Sequence, residues 1–143
     1  SGDFTMTKKM LLLLFVLLSF NAYASDDAET AKIIAAATDY GEGWYAGDAA
    51  RMERALHPEL AKRIAKNGRV DSMTARELVE GTRSGGGKKT PKAKQLVVAR
   101  VLDRFGNAAS VRLEMGGWID YMHLAKFDGE WQIVNVLWEL KPR

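Results

Sequence analysis

The sequence predicts an α+β domain, helices first and then an antiparallel meander of four strands. Three observations carry this. Apolar residues recur at helical spacing through the first half, β-branched and aromatic runs fill the second, and Asp128-Gly129 stands between two such runs, Trp118 to Phe127 and Trp131 to Leu140. Asp-Gly in that setting is the strongest short-range hairpin signal, because a tight primed turn needs positive φ. Both faces of this hairpin are apolar, so the sheet needs cover on two sides.

In chain order, Asp26 and Glu29 have capping-box spacing, and Ile33, Ala37, Tyr40 and Trp44 follow on one face of a helix from about Asp27 to Ala46. Gly47 suits a C-terminal cap and Asp48 an N-cap, so a short second helix carries Met52, Ala55 and Leu56. His57-Pro58 closes it at a bend, and a third turn of helix is expected through Leu60 and Ile64 to Asn67-Gly68. Thr74 and Glu77 form another capping-box pair ahead of a helix from about Ala75 to Arg83. Ser84 to Lys94 has no apolar periodicity and reads as a mobile loop. Strands are expected over Gln95 to Arg104 and Asn107 to Met115, then the hairpin.

At 143 residues the chain suits one domain. Lys8 and Lys9 precede the apolar run Leu11 to Phe20, and Ala22-Tyr23-Ala24 ends it, the pattern of a secretory signal peptide. The run has roughly half of the about 20 apolar residues a membrane span needs. The expectation is a leader and signal peptide over 1–24, a single domain over 25–143, export to a bacterial periplasm or secretion, and no membrane association after cleavage. Losing Lys8, Lys9 and Asp3 lowers the net charge from +3 to +2. No Lys/Arg stripe interleaved with aromatics tracks a phosphate backbone, so nucleic acid is not expected as a partner. Cysteine is absent, which excludes disulfides, thiolate nucleophiles and zinc-thiolate sites.

The stretches YGEGWYAGDAARMERALHPEL, MTARELVEG, VLDRFGNAASVRL and WIDYMHLAKFDGEWQIVNVLW resemble, in that order, the putative lumazine-binding family of the nuclear transport factor 2-like superfamily, a relative of polyketide cyclase-like and ketosteroid isomerase-like proteins. The resemblance covers essentially all of 25–143. It implies a cone of about three helices packed on a strongly curved sheet, with a pocket at its mouth. The superfamily hosts isomerases, dehydratases, cyclases, binders and interaction modules, so activity does not follow from fold.

Chemistry in such a pocket would draw on few groups. His57 and His123 are the only histidines and have no HxH or HxxxH spacing, so neither a metal nor a cofactor is expected. The Gly run lacks a phosphate loop's Lys, since Gly87 stands in that place. An acid–base reading uses Asp120 or His57 as the catalytic group, because an apolar pocket raises a carboxyl pKa toward neutrality. A binding reading uses Tyr40, Trp44, His57, Trp118, Asp120, Tyr121 and His123 against a small aromatic or apolar ligand. The plain alternative for each is a hydrogen-bonded or packed core residue. Strand parity divides them: Trp118, Asp120 and Met122 share one face, Tyr121 and His123 the other, unless a bulge intervenes. By the same parity Trp131 and Trp138 fall on opposite faces, the outward one serving a homodimer contact. The expected function is an exported small-molecule binder with a conical apolar pocket. An isomerase- or dehydratase-like enzyme and a dimeric interaction module are its rivals.

Overall fold

The computed structural model describes residues 26–142. The leader expected over 1–24 lies outside the described residues. The chain divides into a unit over Ser1–Ala31, of which 26–31 are described and helical, and a unit over Lys32–Arg143, which is the subject below.

In that unit α1 occupies residues 32–46, followed by α2 (Ala49–Ala55), β1 (Leu56–Lys66), β2 (Arg69–Thr74), α3 (Ala75–Arg83), β3 (Val97–Phe105), β4 (Ala108–Met115), β5 (Trp118–Phe127) and β6 (Glu130–Leu140). Local chemistry explains the helix boundaries. Asp48 accepts from Arg51 N at 3.0 Å to start α2, and Thr74 and Glu77 cap α3 reciprocally. The six strands form one sheet in the order β2-β1-β6-β5-β4-β3. Every neighbouring pair is antiparallel except β1 with β6. Three helices on a curved, mostly antiparallel sheet is the α+β architecture the sequence predicts.

The expected third helical turn after Pro58 is instead the hairpin β1–β2, and the sheet has six strands, not four. Leu60, Lys62 and Ile64 are buried and alternate with less buried neighbours, a period of two. Asn67 and Gly68, with φ of 52° and 72°, make the same two-residue turn as Asp128 and Gly129, at 49° and 86°. What makes β1 a strand is its non-local pairing with β6, which aligns Lys62 with Val136.

A second correction concerns β6. Its register against β5 shifts between His123 and Leu124, so that His123 pairs with Asn135 but Leu124 with Ile133. The extra residue reverses parity, and Trp131 and Ile133 then share the inner face with Val136 and Trp138. The two tryptophans are therefore on one face, and neither is an outward dimer contact. On that inner face Val111, Leu113, Met115, Met122 and Leu124 pack against Ile33, Ala37, Met52 and Leu78, each burial contributing about 1.5–3 kcal/mol for the larger side chains.

The glycine run is packed. A Cβ on Gly87 would stand 2.2 Å from Trp44 O, and one on Gly86 2.6 Å from Trp44 Cη2, so the glycine backbone lies directly against both the main chain and the ring of Trp44. Two short 3₁₀ turns, Gly87–Lys89 and Lys92–Lys94, lead on to β3.

Candidate ligand cavity

Where the inner face runs out of core side chains, a cavity of about 270 Å³ opens. Its walls are the rings of Tyr40 and Trp44 from α1, Trp118 from β5 and Trp138 from β6, with Met73, Leu78 and Leu140 completing them. Three of the chain's four tryptophans thus line one hollow. Among the described residues Lys62 is its one charged lining residue. Larger hollows, of about 530, 520 and 420 Å³, are bordered by surface charges such as Asp39 with Arg54, Glu80 with Arg83 and Glu42 with Arg51. Among the described residues, the smaller cavity is the one with a buried ionisable cluster at its base.

That cluster is Lys62, Asp120 and Tyr40. Lys62 Nζ donates to Tyr40 Oη at 2.5 Å and to Asp120 Oδ1 at 3.2 Å. Trp118 Nε1 donates to Asp120 Oδ2 at 2.8 Å, and the Tyr40 hydroxyl also bonds the carboxylate. Asp120 is wholly buried and Lys62 is 7% exposed. The ammonium sits 4.9 Å from the Trp138 ring centroid, 5.2 Å from Tyr40 and 5.9 Å from Trp118, within cation–π range of all three.

Burial acts on each group against its charged form. It pushes the Asp120 carboxyl above its usual range, opposed by the Lys62 charge and by hydrogen bonds from Trp118, Lys62 and Tyr40. It pushes the Lys62 amine down, opposed by Asp120. The Tyr40 hydroxyl is driven well above its ordinary value by burial and then by the Asp120 charge, so it stays protonated as a donor. The two shifts bring amine and acid closer in proton affinity than they are in water.

The structure brings Tyr40, Trp44, Trp118 and Asp120 together, the first three on the cavity wall and Asp120 immediately behind it. Tyr121 and His123 point from the opposite face of β5 and are exposed. His57 is the second residue of β1, stacks on Phe127 with centroids 4.5 Å apart, and accepts at Nδ1 from Glu59 N. None of these three lines the cavity. Lys62 is the functional side chain that sequence pattern did not single out. Its signal was present: a Lys on the apolar parity of Leu60 and Ile64, running into Asn67-Gly68. Among the described residues no cluster of three or more His, Cys, Asp or Glu is placed to hold a metal ion.

Comparison with known proteins agrees with this architecture. The sequence profile of the Putative lumazine-binding family matches residues 28–139. A nuclear transport factor 2-like protein of unknown function from Shewanella baltica superposes with a TM-score of 0.64 at 20% identity, over 81% of this chain and 96% of its own. One from Silicibacter pomeroyi gives 0.63 at 14% identity, over 82% and 98%. One from Methylobacillus flagellatus gives 0.62 at 23%, over 82% and 94%. At these identities the likeness concerns fold alone. Among curated proteins, none matches the chain.

Proposed function

The chain belongs to the Putative lumazine-binding family, and from that premise we propose that it binds a small, flat aromatic molecule between Trp44, Trp118 and Trp138, with an acceptor atom of the ligand turned toward Lys62. The observation that carries this is the cavity's composition: among the described residues, aromatic and aliphatic walls with a single charged head, Lys62. Flat rings gain about 0.5–1.5 kcal/mol beyond area burial when they pair with aromatic walls, and the amine fixes their orientation. Because Asp120 already balances Lys62, the cavity favours a neutral ligand over an anion. An acid–base reaction here would reach the ligand through Lys62 or Tyr40, since Asp120 and His57 do not line the cavity.

Three lining tryptophans supply the assay. Titration with lumazine, the pteridine of the family's name, should quench their fluorescence saturably, and Trp138→Ala should weaken binding. A linear, non-saturating response to lumazine, with native mass spectrometry showing no co-purified small molecule, would overturn the reading.

The proposal extends to export and to self-association. Lys8-Lys9, the apolar run Leu11 to Phe20 and Ala22-Tyr23-Ala24 support cleavage of a leader, to be tested by N-terminal sequencing of the mature protein. The outer sheet face exposes Tyr121 and Leu137, neighbours across β5 and β6, as a surface for a second copy. Light scattering that returned a monomer would sink that part.

A further inference from the structure

We propose that Lys62 is a carbonyl-capturing nucleophile, whose Nζ at the base of the aromatic cavity condenses with an aldehyde or ketone of the bound molecule to form an imine. The inference rests on the reading of the cavity as a ligand site and names the chemical class that site would take.

Three features of the geometry support it. Among the described residues Lys62 is the amine that both meets a buried acid, with Nζ 3.2 Å from Asp120 Oδ1, and lines the cavity. Its walls are apolar, and a lysine desolvated in such surroundings is the usual form of an imine-forming amine. The lysines of the glycine-rich segment, Lys88, Lys89, Lys92 and Lys94, are by contrast exposed. Burial lowers the proton affinity of this amine while raising that of its partner acid, which eases proton transfer from the ammonium to the carboxylate.

The step balances within the site. Lys62 passes one proton to Asp120, and its lone pair attacks the carbonyl carbon while the C=O π pair moves to oxygen. A proton shifts from nitrogen to that oxygen, giving a carbinolamine. Asp120 then returns its proton through the Tyr40 hydroxyl, which bonds the carboxylate and belongs to a cavity-lining residue, to the carbinolamine hydroxyl; the C–O bond breaks, water leaves and the nitrogen lone pair closes the C=N bond. The product is a protonated imine beside the Asp120 carboxylate, the same charge pair as before. No oxidant or further reactant is needed. The tryptophan walls shield the C=N bond from hydrolysis.

Benzaldehyde is a suitable probe. The purified protein is incubated with it and sodium cyanoborohydride, and intact mass and peptide mapping locate the reduced adduct. One benzyl group on Lys62, added severalfold faster than on any exposed lysine, is expected, since a lowered proton affinity leaves more of the amine free to attack. Labelling spread over exposed lysines with Lys62 no faster overturns the proposal. Benzyl alcohol, which has no carbonyl, separates the two readings through tryptophan quenching on the same protein. Saturable quenching without Lys62 labelling overturns imine formation and leaves the cavity a ligand site, whereas loss of both overturns the cavity reading too. Asp120→Asn should slow Lys62 labelling, and an unchanged rate would remove Asp120 from the proton transfer. Mapping on the unmutated chain decides the main claim even if that variant does not fold.

Discussion

Two cation–aspartate pairs in this molecule are both in direct contact and behave in opposite ways. Arg51 Nε meets Asp39 Oδ1 at 2.7 Å on the surface, with both side chains more than a quarter exposed or close to it, at 29% and 25%. Lys62 Nζ meets Asp120 Oδ1 at 3.2 Å in the interior. Burial pushes the Asp39 carboxyl up as well, but hydrogen bonds and charge from Arg51 and Arg54 outweigh it and hold the group below its ordinary value. At Asp120 burial wins and the carboxyl is raised. Contact length therefore does not rank the pairs; the medium around them does. A surface pair contributes at most about 1 kcal/mol, whereas breaking a buried one leaves an uncompensated charge.

The largest effect that would test this contrast is Lys62→Met. It strands Asp120 among protein donors, and urea unfolding should show a loss of about 3–5 kcal/mol. A loss below about 1 kcal/mol would mean that Asp120 is content as a neutral acid. Adding Asp120→Leu to that variant should recover much of the loss, because replacing both members of a buried pair by apolar groups is close to neutral. Tyr40→Phe removes the hydroxyl shared by both charges and should cost about 1.5–3 kcal/mol, the scale of hydrogen bonds to charged groups. At the other end, Arg51→Ala should change stability by about 0–1 kcal/mol, and 1 M salt should erase the difference.

Acid titration sharpens the same comparison. Asp39 has a folded pKa below its ordinary 3.8, so its contribution is complete above that pH and is lost as pH falls through the lower folded value. Asp120, raised, has the reverse sign: its contribution is largest when protonated and declines as pH rises from 3.8 through its folded value. Asp39→Asn should therefore flatten the acid limb of the stability profile. An acid limb identical to that of the unmutated chain would show that Arg51 and Arg54 do not hold the carboxylate.

The helix caps and the Asp128-Gly129 hairpin were legible because each is settled within a few residues. Asp48, Thr74 with Glu77, and Asp128-Gly129 carry their partners or their positive φ with them. The hairpin at Asn67-Gly68 bore an equally local signal, yet the preceding Leu60 and Ile64 also fit a helical spacing. Only pairing with β6, about seventy positions away in the chain, decides for the strand. The candidate site was partly legible for the same reason. Tyr40 and Trp44 follow from the stripe of α1, whereas the parity of β5 only separates Trp118 and Asp120 from Tyr121 and His123, and the tertiary structure decides that the first pair faces inward.

The sequence by itself determined the fold class, the order of helices and strands after Thr74, and the aromatic residues available to line a pocket. Tertiary structure alone decided which of them meet. The β6 bulge turned Trp138 inward, the glycine run seated Trp44 as a wall, and parallel pairing of β1 with β6 placed Lys62 opposite Asp120. The physical reason is that propensity, capping and turn chemistry act over a few residues, while desolvation of a lysine depends on every element that covers it. Lys62 is an ordinary exposed cation in any local reading of its strand, and becomes a buried amine only when Tyr40, Trp118 and Trp138 close around it.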